Sequence, residues 1–497
     1  MMTVSPASIA ERVSGVLSQC AALTRSARRP SAALSALLGG LVLAGPLSGV
    51  AAPGRPNVLF ILTDDQRFDS VGANGNPHIH TPNLDRLAAR SVRFTNANVV
   101  MSLCSPSRAA ILTGRYGSSN GVTSLGAALR PGETTFAQHL KSAGYRTGMV
   151  GKWHIGGEPE AVGFDFSCFF RSNGTYFGRP VRDQGKDVRP AQHVDEYCVD
   201  RSIAFLEDAA RRTGPFLLWH ATQLPHMDNR NAWPSPEEFR ALYDPKKLPL
   251  PSTIKGDLTG KPPYLAGVRN RTQADKYGYD DPAVVRGHVR DYYAVVTQLD
   301  GMIGRLLDAL ERLGLRDNTW IVFMSDNGWL LGEQRMTSKV LAYADSIRVP
   351  LMIAGPGLKP RVEPGLALNI DITPTLLELA ALPASKTMHG RSLVPLLRDA
   401  NSAWRDAFVY ECLDSYGGTR PMLGAMNAEW SLIQTWETRA DVGTAAPPFV
   451  ELYHRRTDPA EQRNVAVEPA NAAIREQLQR EIRDHLAQIL SAPAGAR

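Results

Sequence analysis

Cysteine is scarce in this chain, with five in 497 residues. Cys20, Cys104, Cys168, Cys198 and Cys412 make no disulfide framework, although a Cys168–Cys198 bridge stays open. Charge of one sign is scarce as well. The formal net charge is +6, and residues 1–51 hold half of it, as Arg12, Arg25, Arg28 and Arg29 against Glu11. The remainder is too weakly basic to argue for nucleic acid or another polyanion, and no basic stripe is interleaved with aromatics. The composition, 43% apolar and 21% charged, excludes wholesale disorder, collagen-like repeats and a polytopic membrane protein. No internal repeat is visible. The length suits two or three average domains, or one large domain with a small one.

The N-terminus stands apart. Arg25, Arg28 and Arg29 precede an apolar run over residues 31–47, and Gly49-Val50-Ala51-Ala52 follows. A positive region, a short apolar core and small residues read as a secretory signal over residues 1–51, which takes Cys20 with it. The run is shorter than the ~20 residues of a spanning helix, and Gly39, Gly40, Gly45 and Pro46 interrupt it. A signal anchor or a buried helix is the alternative, and Arg28-Arg29 also allows a twin-arginine signal. The expected location is periplasmic or secreted, without stable membrane insertion.

Short apolar runs then alternate with helical periods. Residues 57–63, 216–219, 319–325 and 349–354 read as strands apolar on both faces, which belong in a sheet covered by helices on both sides. Helices are expected from a Thr134 cap to residue 143, over 289–313, and over 373–382 with Thr373 as cap. This alternation argues for one large α/β domain over residues 52–400, with a mostly parallel sheet. Beyond it, residues 408–411, 430–436 and 449–453 read as antiparallel strands and 472–490 as a closing helix. They make a small α+β subdomain over 401–497. Residues 228–285, rich in Pro, Gly and Asp, form either a lid or binding loop or a surface decoration.

Two apolar runs end alike. Residues 57–63 enter Asp64-Asp65, and 319–325 enter Asp326-Asn327-Gly328. Ligands of a parallel sheet bind beyond the carboxyl ends of its strands. Three carboxylates and an amide gathered there repel one another without a counter-charge. All-oxygen donors suit a hard cation, Ca²⁺ or Mg²⁺, rather than zinc. Two solvated Asp-rich turns are the plainer alternative. The sharpest signal is Cys104-Ser105-Pro106-Ser107-Arg108. Ser105 reads as an N-cap and Pro106 as the first helical residue, so Cys104 precedes a helix N-terminus, where free N–H groups favour anions. Arg108 lies one turn on and can point back toward Cys104. A low-pKa thiolate nucleophile is the generic reading.

That motif, with Thr113-Gly114-Arg115 behind it, resembles the signature of the sulfatase family, within the alkaline phosphatase-like superfamily. Other motifs follow in a similar order: Thr63-Asp64-Asp65-Gln66, Gly151-Lys152-Trp153-His154, Pro225-His226, Ser325-Asp326-Asn327-Gly328, Ser338-Lys339 and Arg348-Val349-Pro350-Leu351. Glu451-Leu452-Tyr453 with Asp458, Glu461 and Asn464 resembles the family's closing pattern. The resemblance implies an alkaline phosphatase-like large domain and a sulfuric ester hydrolase acting on a sulfated sugar or an aryl sulfate. It implies that a formylglycine-generating enzyme oxidises Cys104 to formylglycine, whose hydrated diol attacks sulfur. Asp64, Asp65, Asp326, Asn327 and the modified Cys104 would hold one Ca²⁺. Arg108, Lys152 and Lys339 would neutralise the sulfate oxygens, His154 would assist deprotonation of the diol, and His226 with Lys339 would lie near the leaving oxygen. The rivals are a phosphonate or phosphate ester hydrolase of the same superfamily, and a non-catalytic binding protein if Cys104 stays a thiol. His78, His80, His139 and His389 match no catalytic position.

Overall fold

Residues 55–491 are described by the structure, a computed structural model; the expected signal segment lies outside them. Four parallel strands lie side by side at the centre of a ten-stranded sheet: β1 (Asn57–Asp64), β2 (Arg146–Lys152), β3 (Phe216–Pro225) and β4 (Thr319–Ser325), in the order β4-β1-β3-β2. Phe166–Phe170 extends the sheet in parallel beyond β2, and Val181–Asp183 and Lys186–Val188 finish that edge antiparallel. On the other flank Leu351–Ala354 runs antiparallel to β4, followed by Val92–Phe94 and Arg361–Glu363.

The doubly apolar runs have a simple cause. Along β1, Val58, Phe60 and Leu62 join Trp219, Val322 and Met324 in one core, while Leu59 and Ile61 join Leu218, Ile321 and Phe323 in another. Each face is dry because helices cover it. Helices α1 (Cys104–Thr113), α2 (Phe136–Ser142) and α6 (Ile372–Leu379) bury side chains in the first core; α3 (Val194–Ala210) and α5 (Pro282–Arg312) bury theirs in the second. Between α3 and α5 lies α4 (Arg269–Tyr277).

Several element ends differ from the sequence reading. Helix α5 begins at Pro282 rather than 289, because the Asp281 carboxylate accepts from Ala283 N at 2.7 Å. Thr135, not Thr134, caps α2, in a reciprocal pair with Gln138. Thr373 is no cap; it lies inside α6 and donates to the Ile111 carbonyl. Residues 349–350 precede their strand, whose antiparallel direction hydropathy does not encode. The C-terminal sheet has four antiparallel strands in chain order, Ala407–Cys412, Met422–Asn427, Trp430–Thr435 and Phe449–His454, and α7 (Ala472–Ser491) packs Leu478 and Ile482 against it. Cys168 and Cys198 are buried free thiols, not a disulfide. Residues 228–285 bury Trp233, Tyr243, Leu265, Val268 and Tyr279, so the segment is an integral part of the packing. No helix among the described residues is long and apolar enough to cross a membrane.

Candidate active site

All four central strands deliver polar residues at their carboxyl ends. β1 supplies Asp64 and, just past it, Asp65, in the left-handed region at φ 63°. β4 runs into Asp326 and Asn327, tied across to β1 by Asp326 N on the Thr63 carbonyl at 3.0 Å and Gln66 N on Ser325 Oγ at 2.9 Å. β2 ends in Lys152, with His154 two residues on; β3 ends in Pro225, followed by His226. Gly151 is required where it stands: at φ 108° its Cβ would lie 1.7 Å from the Ala221 carbonyl oxygen.

Helix α1 points its N-terminus at this cluster, but its start differs from expectation. Leu103 occupies the cap position and Cys104 is the first helical residue. Ser105 instead donates its hydroxyl to the His154 carbonyl and accepts from Gly126 N, joining α1 to the β2 exit. Arg108, wholly buried, turns its fork on the cluster: Nε donates to Asp326 Oδ2 at 2.8 Å and Nη1 to the Lys152 carbonyl, while Nη2 is buried without a hydrogen-bond partner. Lys152 Nζ donates to Asp64. Lys339 arrives from the hairpin of Leu330–Leu331 and Thr337–Ser338; its Nζ donates to Asp65 and to Cys104 Sγ, the latter at 2.8 Å. His226 Nε2 lies 3.5 Å from Asp65 Oδ2.

Three carboxylates (Asp64, Asp65, Asp326) therefore face three cations (Arg108, Lys152, Lys339), all buried. Burial pushes the Asp64 carboxyl up, but Lys152 foremost, then His226, Lys339 and Arg108, hold it well below the usual range. At Asp65 and Asp326 burial, with Asp64 adding to it, outweighs the neighbouring cations and pushes each up to about 6. Burial pushes His226 down to about 3, and burial with Lys152 beside it keeps His154 neutral as well. The low-pKa thiolate expected at Cys104 is not found. Burial and the Asp64 charge push that thiol up to about 12, outweighing the lysines.

The ten side chains proposed from sequence thus converge, although the His154 ring has a buried Nδ1 with no hydrogen-bond partner. Two neighbours carried no sequence signal of their own. Asn173 donates through Nδ2 to His226 Nε2 over 2.7 Å, and Trp329 lies beneath the Lys339 ammonium, 5.7 Å from it. Gln66, within a quoted motif but given no role, is fully buried with both amide atoms unpartnered.

One ligand atom from each of Asp64, Asp65, Cys104 and His226 lies within 4.8 Å of the others, a grouping able to hold a metal ion. Asp65 Oδ2 and Asn327 Oδ1 are buried without a hydrogen-bond partner, as oxygens kept for a cation would be. The oxygens of Asp64, Asp65 and Asn327 fit a hard cation, whereas the Cys104 thiol and the His226 imidazole of that grouping are softer donors.

The family model "Sulfatase" matches residues 56–382, and a second, "N-sulphoglucosamine sulphohydrolase, C-terminal", matches residues 332–488. The chain belongs to the sulfatase family. This sulfatase is 28% identical over 475 residues to an N-acetylglucosamine-6-O-sulfatase of Bacteroides thetaiotaomicron, an alignment covering 83% of this chain and 82% of that one. It superposes with a TM-score of 0.78, at 25% identity and over 89% of its own length and 99% of the other, on a solved structure in complex with its substrate D-glucosamine-2-N,6-O-disulfate. A phosphonate monoester hydrolase from Silicibacter pomeroyi matches with a TM-score of 0.71 and 25% identity over 88% and 96% of the two chains. The sulfatase is accordingly a sulfuric ester hydrolase with an alkaline phosphatase-like fold.

Proposed function

We propose that this sulfatase hydrolyses a sulfated saccharide, using formylglycine made from Cys104 and one calcium ion. The observation that carries the reading is the position of Cys104: first residue of α1, against Asp64, with the Lys339 ammonium 2.8 Å from its sulfur. As formylglycine, hydrated to a geminal diol, the residue supplies a hydroxyl nucleophile. Calcium would be held by Asp64, Asp65, Asp326, Asn327 and the modified Cys104, and would supply Lewis-acid polarisation of a sulfate oxygen.

The chain's own residues do the rest. With equal numbers of carboxylates and cations the cluster is neutral by itself, so a bound dication leaves it positive and receptive to an anionic ester. Arg108, Lys152 and Lys339 stand ready to meet the sulfate oxygens as negative charge develops on them, and burial strengthens that interaction. Neutral His154 accepts a proton from the nucleophile. His226 Nδ1 donates to the Met227 carbonyl at 2.7 Å, which fixes its ring and turns Nε2 toward the site.

Export of the chain through its N-terminal segment fits this reading, as does maturation by a formylglycine-generating enzyme. The sugar assignment is supported by the relative named for N-acetylglucosamine 6-sulfate and by the neighbour bound to a sulfated glucosamine. Mass spectrometry of the tryptic peptide ending at Arg108 tests the modification: Cys104 should have lost sulfur and gained a carbonyl oxygen. A fully alkylatable Cys104 in active protein refutes it. A panel of sulfated sugars and nitrophenyl sulfate, run beside the phosphate and phosphonate analogues, tests the substrate.

A further inference from the structure

We propose that Asn270 is a positioning residue that holds the Lys339 ammonium at the active site. The inference rests on the reading of Lys339 as a sulfate-binding cation. Lys339 sits in a segment whose backbone is unusual over several residues. Gln334, Arg335, Ser338 and Val340 all have positive φ, at 54°, 52°, 74° and 82°. None is glycine, and Val340 is β-branched, the type least tolerant of that region. Such a conformation persists only where the surroundings over-determine it.

The surroundings here are specific. Asn270, 3% exposed on α4, donates through the single nitrogen Nδ2 to the Thr337 carbonyl at 2.8 Å and to the Lys339 carbonyl at 2.9 Å. It thereby bridges the carbonyls of the two residues on either side of left-handed Ser338. The next residue, Arg271, donates to the Gln334 carbonyl at 3.1 Å. On the far side, Tyr410 of the C-terminal sheet donates to the Val340 carbonyl, and Val340 N donates to Ser102 Oγ at 3.2 Å. The segment 228–285 thus reaches the site through α4: it grips the backbone that carries the cation. Asn270 touches neither Cys104 nor any carboxylate of the cluster by hydrogen bond, so its influence passes through Lys339.

The test is a double-mutant cycle on the full-length, matured enzyme with nitrophenyl sulfate. Formylglycine content and thermal unfolding are checked for every variant. Asn270→Ala should lower kcat/KM by roughly 10²-fold, the scale for about 1 Å of misplacement. In a Lys339→Ala background the same substitution should change kcat/KM by less than about twofold, because nothing is left to position. Asn270→Asp keeps the shape without the donors; it should repeat the result and carries the cycle if the alanine variant lacks a cooperative unfolding transition. Equal losses in both backgrounds, with Lys339→Ala itself impaired, overturn the proposal and leave the sulfatase site intact. An unimpaired Lys339→Ala enzyme overturns the reading of Lys339 first, and the proposal with it.

Discussion

Replacing Asp326 with asparagine tests the cation site without relying on turnover. The asparagine keeps the shape, and its carbonyl oxygen can still accept from Arg108 Nε, 2.8 Å away in the parent. What changes is charge: the cluster goes from three carboxylates against three cations to two against three. At a separation of 4 Å and an effective dielectric of 20, each pair of unit charges is worth about 4 kcal/mol. A dication doubles that figure, so losing one carboxylate weakens calcium binding by at least roughly a thousandfold. Calcium at about 100 times its dissociation constant stabilises the parent by about 2.7 kcal/mol, and this should fall to nearly nothing in the variant at the same concentration. The assay is thermal unfolding across a calcium titration started from chelator-treated protein. The parent should show a calcium-dependent rise in Tm, and Asp326→Asn should show it only at far higher concentration. An unchanged half-maximal calcium concentration would remove Asp326 from the metal site, and a parent indifferent to calcium would remove the metal.

Further perturbations reach other parts of the structure. Arg108→Lys keeps the charge but loses the fork that joins Asp326 to the Lys152 carbonyl, so kcat should fall by roughly 10²–10³-fold, measured on an activated aryl sulfate. Gly151→Ala forces a Cβ against the Ala221 carbonyl and should destabilise the fold by about 3 kcal/mol or more in denaturant titrations. Burial opposes the charge on Glu411, but His485 at 3.0 Å and Ser118 hold its pKa below its ordinary value of 4.5. A carboxyl lowered on folding stabilises above its unfolded pKa and loses that contribution as pH falls through the folded one. Tm should therefore fall below about pH 4.5, and Glu411→Gln should flatten that fall.

The parts of the molecule legible in the sequence are those where a buried strand meets a polar turn. β1 and β4 announced themselves because helices cover both faces, and Asp64-Asp65 and Asp326-Asn327 broke their apolar runs abruptly. β2 carries no continuous apolar run because Gly148 and Gly151 interrupt it; Phe205 packs close above the first, and the Ala221 carbonyl approaches the second. Met422–Asn427 shows little strand pattern for a related reason, with Gly424 and Ala425 in its middle. Ser105 has the local propensity of a cap, and local propensity does not encode a partner 49 residues away, the His154 carbonyl. Asn270 left no trace at all. Its acceptors are main-chain carbonyls near residue 338, and a side chain that serves a distant backbone has no neighbouring pattern to betray it.

The phosphonate monoester hydrolase among the structural neighbours raises a question that charge alone cannot answer. Sulfate monoesters and phosphonate monoesters are both tetrahedral monoanions, so a positive cradle attracts either. They differ in what surrounds the central atom. A sulfate monoester presents three terminal oxygens; a phosphonate monoester presents two, and a carbon group takes the third place. In this site three cations converge on one carboxylate. Lys152 bonds to Asp64, Arg108 Nη2 lies 3.9 Å from it and Lys339 3.8 Å from it, all buried. A carbon substituent would leave one of them facing an apolar group, and a buried donor stripped of its acceptor costs about 1–3 kcal/mol, more when charged. Sulfate should therefore be preferred over the phosphonate of the same alcohol by at least roughly tenfold in kcat/KM. Truncating Lys339 to alanine should shrink that preference, since it removes a cation that only the sulfate can satisfy. A phosphonate preferred by the parent enzyme, or a preference unmoved by the truncation, would show that the cradle does not count oxygens and that selection lies with the alcohol.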